Sequence, residues 1–110
     1  MYKLKVEGHF DAAHKLPNYE GKCQRLHGHT WRVKVIVQNK ALNDQKMVCD
    51  FKEIKDAWEK YDHQYLNDFF EQPTAEVLAK AIWIDLHHLG DVEVTVWESP
   101  ETSASYYEEK

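Results

Sequence analysis

His27-Gly-His-Thr-Trp-Arg-Val-Lys-Val-Ile-Val37 is the stretch on which the fold of this 110-residue chain turns. Trp31, Val33, Val35 and Val37 alternate with Arg32, Lys34 and Ile36, the period of a half-buried β-strand, and the pattern ends near Asn39. At the head of the strand His27 and His29 flank Gly28. Side chains at i and i+2 leave a strand on the same face, about 6.6–6.8 Å apart along the backbone. Two imidazoles so placed converge on one ion at about 2.0–2.1 Å per bond. Gly28 puts no side chain on the opposite face, which leaves room for a close approach there.

Upstream, Leu4, Val6 and Phe10 alternate with Lys3, Lys5, Glu7 and His9, predicting a first strand over about residues 2–13. Pro17, Asn18 and Gly21 break the pattern and mark a loop. Strand, loop and strand read as an antiparallel hairpin, which carries His14 to the neighbourhood of His27 and His29. Three neutral imidazoles hold a zinc ion and leave one coordination position open, the arrangement of a catalytic site.

Downstream, Asp50-Phe-Lys-Glu53 has the spacing of a capping box, and Phe51, Ile54, Trp58 and Tyr61 follow at helical intervals, predicting a helix over about 51–61. Pro73-Thr74 opens a second helix. Thr74 stands at its N-cap, Val77, Leu78, Ala81, Ile82 and Leu86 form its apolar face, and Gly90 stands at its C′ position. Val92, Val94 and Val96 alternate as a third strand, and residues 102–108 after Pro100 form a fourth. The order ββααββ predicts an α+β fold in a single domain, residues 1–110: a four-stranded antiparallel sheet with two helices on one face. The other face carries Trp97, Ile36 and Tyr107. With two unpaired edge strands, those large groups favour an oligomer.

Composition narrows the function. Hydrophobic residues make up 43% and charged residues 30% of the chain, an ordinary soluble balance. A net charge of -5 offers no basic stripe for phosphates, so no nucleic acid partner is expected, although one phosphorylated small molecule needs only a few cations. Met1-Tyr-Lys-Leu-Lys-Val6 is a charged alternating run rather than a signal peptide, and no apolar stretch approaches the ~20 residues that span a bilayer, so no membrane partner is expected either. Cys23 and Cys49 read as free thiols of a cytoplasmic protein.

Three readings of Cys23 are open from its position four residues before His27. As a fourth ligand it closes the zinc site and makes it structural. As a thiolate beside the metal it is a general base. As a plain buried thiol it is inert, which is also the expectation for Cys49. Asp62-His63 lies at the end of the first helix, where it serves either as a helix cap or as a carboxylate-oriented proton carrier. Glu98 continues the parity of Val92, Val94 and Val96 and so points at a partly apolar region, where a carboxylate needs a partner.

Phe10-Asp-Ala-Ala-His14, Cys23-x-x-x-His27-Gly-His29, Asp50-Phe51, Asp62-His63-x-x-Leu66-Asn67, Pro73-Thr74-x-Glu76 and Glu98 together resemble the 6-pyruvoyl-tetrahydropterin synthase family, in family order and over nearly the whole chain. The three-residue gap between Cys23 and His27 is most similar to the 6-carboxy-5,6,7,8-tetrahydropterin synthase branch of queuosine biosynthesis. The resemblance implies a T-fold (tunnelling fold) and a homohexamer of two trimeric rings with active sites at subunit interfaces. It implies Zn2+ on His14, His27 and His29, and a proton-handling triad of Cys23, Asp62 and His63, completed across a subunit boundary. Glu98 is then the pterin anchor, with Thr74 and Glu76 assisting, although helix capping and a dipole contact account for those two without a ligand. The implied substrate is 7,8-dihydroneopterin triphosphate, and the products are 6-carboxytetrahydropterin, acetaldehyde and triphosphate. A 6-pyruvoyltetrahydropterin synthase, or a zinc-stabilised pterin-binding module without turnover, are the alternatives. Lys15 and Arg25 flank the ligands and are available to a triphosphate. His9, His87 and His88 match nothing in the family pattern. Tyr61 and Ala75 depart from it, standing where an aliphatic residue and a second threonine are usual.

Overall fold

The computed structural model describes residues 1–109. Strand β1 (Tyr2–His14) and strand β2 (His27–Asn39) form the expected antiparallel hairpin, with Phe10 opposite Trp31, Ala12 opposite His29 and His14 opposite His27. Residues opposite one another share a face, so Val6, Phe10 and His14 lie on the same side as His27, His29, Trp31 and the three valines of β2. Trp31, Val33, Val35 and Val37 are fully buried there.

Helix α1 (Phe51–Glu59) starts on Asp50, whose carboxylate accepts from the Lys52 N–H at 2.9 Å. It ends two residues before the expected boundary. The Tyr61 and Asp62 N–H groups donate to the Trp58 and Glu59 carbonyls, three residues back, which tightens the chain into a turn. Trp58 lies directly against Gly8, where a Cβ would come within 2.8 Å of the indole, so β1 admits the helix only because residue 8 has no side chain.

Helix α2 (Ala75–Leu86) starts on Thr74, whose Oγ1 accepts from the Val77 N–H at 3.2 Å. Its buried stripe is Ala75, Leu78, Ala79, Ile82 and Leu86; Val77 and Ala81 are only half-buried, so the stripe is rotated from the expected one. A 3-10 turn over His87–Leu89 separates α2 from Gly90, at φ 147, where any Cβ would collide with the Gln38 carbonyl.

The expected four-stranded antiparallel sheet is corrected by one element. Gln64–Tyr65 forms a short strand, β3, paired parallel to β1 at Ala12 and Ala13. With β4 (Asp91–Ser99) and β5 (Thr102–Tyr107) the sheet is five-stranded and mixed, ordered β3-β1-β2-β4-β5, and the chain order is ββαβαββ rather than ββααββ. Two residues are too few for a period of two to show in sequence. What makes the strand is tertiary: His63, at φ 61, turns the chain so that its N–H donates to the Asp11 carbonyl at 2.6 Å.

The helices cover one face, with Trp83 of α2 donating its Nε1–H to the Val92 carbonyl and meeting Tyr106 edge-on. On the opposite face the Arg32 guanidinium lies 4.3 Å from the Trp97 ring centre, while Ile36 is half-buried and Tyr107 is exposed. Tyr61 is buried against Phe10, Phe69 and Phe70, so its aromatic ring fills core volume. No helix among the described residues is long and apolar enough to cross a membrane.

Candidate metal centre and active site

The hairpin register brings His14, His27 and His29 together where the sheet runs past its helical cover, with one ring nitrogen from each lying within 4.8 Å of the other two. His14 is wholly buried. Its Nδ1 lies 2.7 Å from the Pro73 carbonyl, and the His27 Nδ1 lies 2.7 Å from the Arg25 carbonyl. A carbonyl only accepts, so both rings carry their proton on Nδ1 and leave a lone pair on Nε2. Those two Nε2 atoms face each other at 3.0 Å. Two lone pairs do not hydrogen-bond; they do suit a shared cation. The His29 Nε2 is buried without a hydrogen-bond partner, and Glu98, at 3.8 Å, is too far to be one. Orphaned buried nitrogens are rare, and here all three donors are imidazoles with backbone carbonyls orienting two of them. The set fits a metal ion that prefers nitrogen ligands, zinc among them.

Burial is the main cause that lowers the His14 pKa, with the His27 charge adding to it and the Pro73 carbonyl and Glu98 opposing. Burial also dominates the lowering at His29, again against Glu98. Both rings are thereby kept neutral, the form that binds metal.

Cys23 sits half-buried in a 3-10 turn, Lys22–Gln24, and is not part of the convergent ligand set. Its loop is closed by the Leu16 N–H donating to the Cys23 carbonyl at 2.8 Å. Cys49 is buried, which together with the nearby carboxylates of Glu53 and Asp50 pushes its thiol pKa up.

Asp62 and His63 form a pair inside the chain: the His63 Nδ1 lies 2.9 Å from the Asp62 Oδ2, while Asp62 Oδ1 accepts from the Asp11 N–H at 2.9 Å. The Asp11 amide first, and then His63, hold the Asp62 carboxyl below its usual range. The pair lies in the turn beyond α1. The Asp62 N–H closes the last α1 carbonyl, that of Glu59, at 3.1 Å, while the His63 N–H leaves the helix and bonds the Asp11 carbonyl. His63 is 79% exposed and lines a cavity with Asp11, Gly28 and Thr30, on the sheet face opposite the buried core.

Glu98, 31% exposed, and His29 share the wall of a neighbouring cleft of about 470 Å³ with His9, Thr30, Arg32 and Trp97. Thr74 uses its hydroxyl as the α2 N-cap, and Glu76 is exposed in the first turn of that helix. Lys15 and Arg25 are both exposed. His87 stacks on Trp83, and His88 lies 3.8 Å from Glu53, both away from the site.

Three contributors had no separate signal in the sequence. The carbonyls of Pro73 and Arg25 orient ligands, and any residue carries a carbonyl. Asn67, legible only as part of a motif, binds the Lys15 backbone with both ends of its amide.

Comparisons with known proteins show the family and the likeness of fold. A family model described as 6-pyruvoyl tetrahydropterin synthase matches residues 3–109. A Synechocystis protein named 6-carboxy-5,6,7,8-tetrahydropterin synthase is 37% identical over 121 aligned positions, covering 97% of this chain and 94% of that one. A Bacillus subtilis protein of the same name is 32% identical, covering 99% and 87% respectively. Among solved structures, the 6-pyruvoyl tetrahydropterin synthase of Caenorhabditis elegans superposes with a TM-score of 0.76 at 23% identity, over 98% of this chain and 96% of that one, a likeness of fold.

Proposed function

The chain belongs to the 6-pyruvoyl tetrahydropterin synthase family, and from that membership we propose that it is a zinc-dependent lyase converting 7,8-dihydroneopterin triphosphate and one water to 6-carboxy-5,6,7,8-tetrahydropterin, acetaldehyde and triphosphate, a step toward queuosine. The observation that carries the reading is the meeting of His29 and Glu98 on one cleft wall, a metal-ready imidazole beside a carboxylate. The two relatives bearing the carboxy-type name favour that product.

His14, His27 and His29 hold the zinc, which when bound supplies a Lewis acid for the oxygen atoms of the substrate side chain. Glu98 accepts two parallel hydrogen bonds from the pterin 2-amino group and the adjacent ring N–H, which orients the ring. Cys23 takes a proton from a side-chain carbon as its thiolate. Asp62, held ionised by the Asp11 amide, fixes the His63 ring through Nδ1 and leaves Nε2 to carry protons to and from the substrate. Thr74 and Glu76 stand at the start of α2 as further substrate contacts. We assign the exposed His63 to a site completed by a neighbouring subunit in a homohexamer, a reading supported by the exposed Tyr107 and the short edge strand β3. Light scattering tests this, and an active monomer at working concentration would contradict it. Both cysteines are free, in keeping with a cytoplasmic enzyme.

The deciding experiment incubates zinc-loaded protein with 7,8-dihydroneopterin triphosphate and identifies the products. Acetaldehyde with 6-carboxytetrahydropterin supports the proposal. A retained side chain makes the protein a pyruvoyl-type synthase, and binding without turnover makes it a pterin-binding module. Metal analysis should find one zinc per subunit, lost in His27→Ala; full occupancy in that variant would remove His27 from the ligand set.

A further inference from the structure

On the open face of the sheet, Thr30 stands between two cavities. It lines the cleft of Glu98, Arg32 and Trp97, of about 470 Å³, and also the cavity of His63, Asp11 and Gly28, of about 490 Å³. Thr30 is opposite Asp11 in the β1–β2 register, and its Oγ1 donates to the Asp11 Oδ1 at 2.5 Å. A carboxylate has no proton to give, so the hydroxyl hydrogen is committed to Asp11. What Thr30 presents to the cavities is therefore oxygen lone pairs alone.

Asp11 is fixed in turn. Its own N–H donates to Asp62 and its carbonyl accepts from the His63 N–H. The Thr30 rotamer is thus set by the same strand position that seats the Asp62–His63 pair. A cross-strand Thr–Asp pair in open solvent contributes little beyond local sheet stability. This one lines both the cleft that holds Glu98 and the cavity that holds His63.

We propose that Thr30, held by Asp11, is a specificity-determining contact of the pterin site: its hydroxyl oxygen accepts a hydrogen bond from an N–H or O–H donor of the bound heterocycle. Glu98 and Thr30 then make a pair of acceptors facing one ligand. That selects for a donor-rich ring and against rings that present carbonyls or bare nitrogens to the same wall. Asp11 is the positioning residue, acting only through Thr30. The inference rests on the cleft being the pterin site.

The test measures binding of neopterin, which is fluorescent and carries no phosphate, to the zinc-loaded protein and to three variants. Thr30→Val keeps the shape and the strand preference of the residue while removing the acceptor. It should weaken neopterin binding roughly 2- to 12-fold, the range of one neutral hydrogen bond, with zinc content and melting temperature unchanged. Thr30→Ser should restore wild-type affinity, and Asp11→Ala should fall between, because the hydroxyl then has no carboxylate to hold it as an acceptor. Wild-type affinity in Thr30→Val overturns the inference while leaving the pterin site intact. Loss of affinity only in step with lost zinc or lowered melting temperature also overturns it, because Thr30 is then structural. Failure of the wild-type protein to bind neopterin at all overturns the pterin reading itself, and this inference with it.

Discussion

The side-chain amide of Asn67 closes a two-bond pair on the backbone of Lys15: its oxygen accepts from the Lys15 N–H and its nitrogen donates to the Lys15 carbonyl, both at 2.9 Å. Lys15 follows His14 directly and opens the loop that carries Cys23. Asn67 lies four residues beyond His63. One amide therefore ties the end of the strand that bears His14 to the segment that bears the Asp62–His63 pair. Asn67→Ala removes both bonds, and at about 0.5–1.5 kcal/mol each the stability loss should be modest and readable by urea unfolding. Turnover should fall further, because a displacement of about 1 Å at reacting groups costs on the order of 100-fold. Wild-type turnover in this variant would show that the tie does not position the site.

Cys23 lies outside the convergent histidine set, so Cys23→Ala should keep its zinc and its melting temperature. If Cys23 is the base, the rate should drop by roughly 10²–10⁴-fold, the usual share of general acid–base catalysis. A variant that loses metal and stability together would identify the thiol as a ligand, since structural zinc contributes folding energy directly. Full activity would leave Cys23 with neither role.

Glu98→Gln puts an amide N–H₂ where the ligand needs an acceptor. A hydrogen bond to a charged group contributes about 1.5–3 kcal/mol. Glu98 keeps 31% of its side chain exposed, which allows water to compensate in part, so the low end is expected: roughly tenfold in Kd. Zinc content and folding should change far less. Equal affinity for substrate would move the pterin anchor elsewhere.

The lowered pKa values of His14 and His29 make a prediction about acid. Below the ordinary histidine value of 6.5 the unfolded chain takes up protons that the folded, metal-stripped protein does not. Stability is therefore complete above that pH and is lost as pH falls from 6.5 through the lower folded values. Asp62 works in a separate window: its pKa is depressed, so its contribution is present above 3.8 and disappears only as pH falls through its folded value. Urea midpoints of stripped protein, taken from pH 7.5 down to pH 5, should decline. A flat profile would contradict the neutral state of the buried His14 and half-buried His29 rings. In the metal-loaded protein, protons compete with zinc for the same nitrogens, so metal should be released over the same direction of change.

Alternation was enough to read three of the five strands, and the break at Pro100 placed a fourth. In β1, β2 and β4 the buried valines and aromatics recur every second residue, and Gly8 and Gly90 sit where backbone or indole leaves no room for a Cβ. The histidine cluster followed from the same periodicity, because a hairpin register is a consequence of which face must be buried. His27 and His29 share a face for that reason alone, and His14 meets them because Phe10 must meet Trp31.

Other features are not local properties of the chain. β3 has no pattern of its own and exists because β1 offers a free edge to a segment turned by His63 in a left-handed conformation. The rotated stripe of α2 reflects what the sheet presents to it, with Ala79 buried in place of the expected Ala81. That Asp62 grips His63, that Asn67 grips Lys15, and that the Thr30 hydroxyl donates a hydrogen bond to Asp11 each required the folded chain, since the last two join residues 52 and 19 positions apart. Hydrophobic periodicity is written residue by residue, and so the sequence by itself determined the patterned strands β1, β2 and β4 and the meeting of three imidazoles. Which proton sits on which nitrogen, and which carboxylate meets which ring, depend on distances of a few ångströms between segments that only tertiary packing brings together.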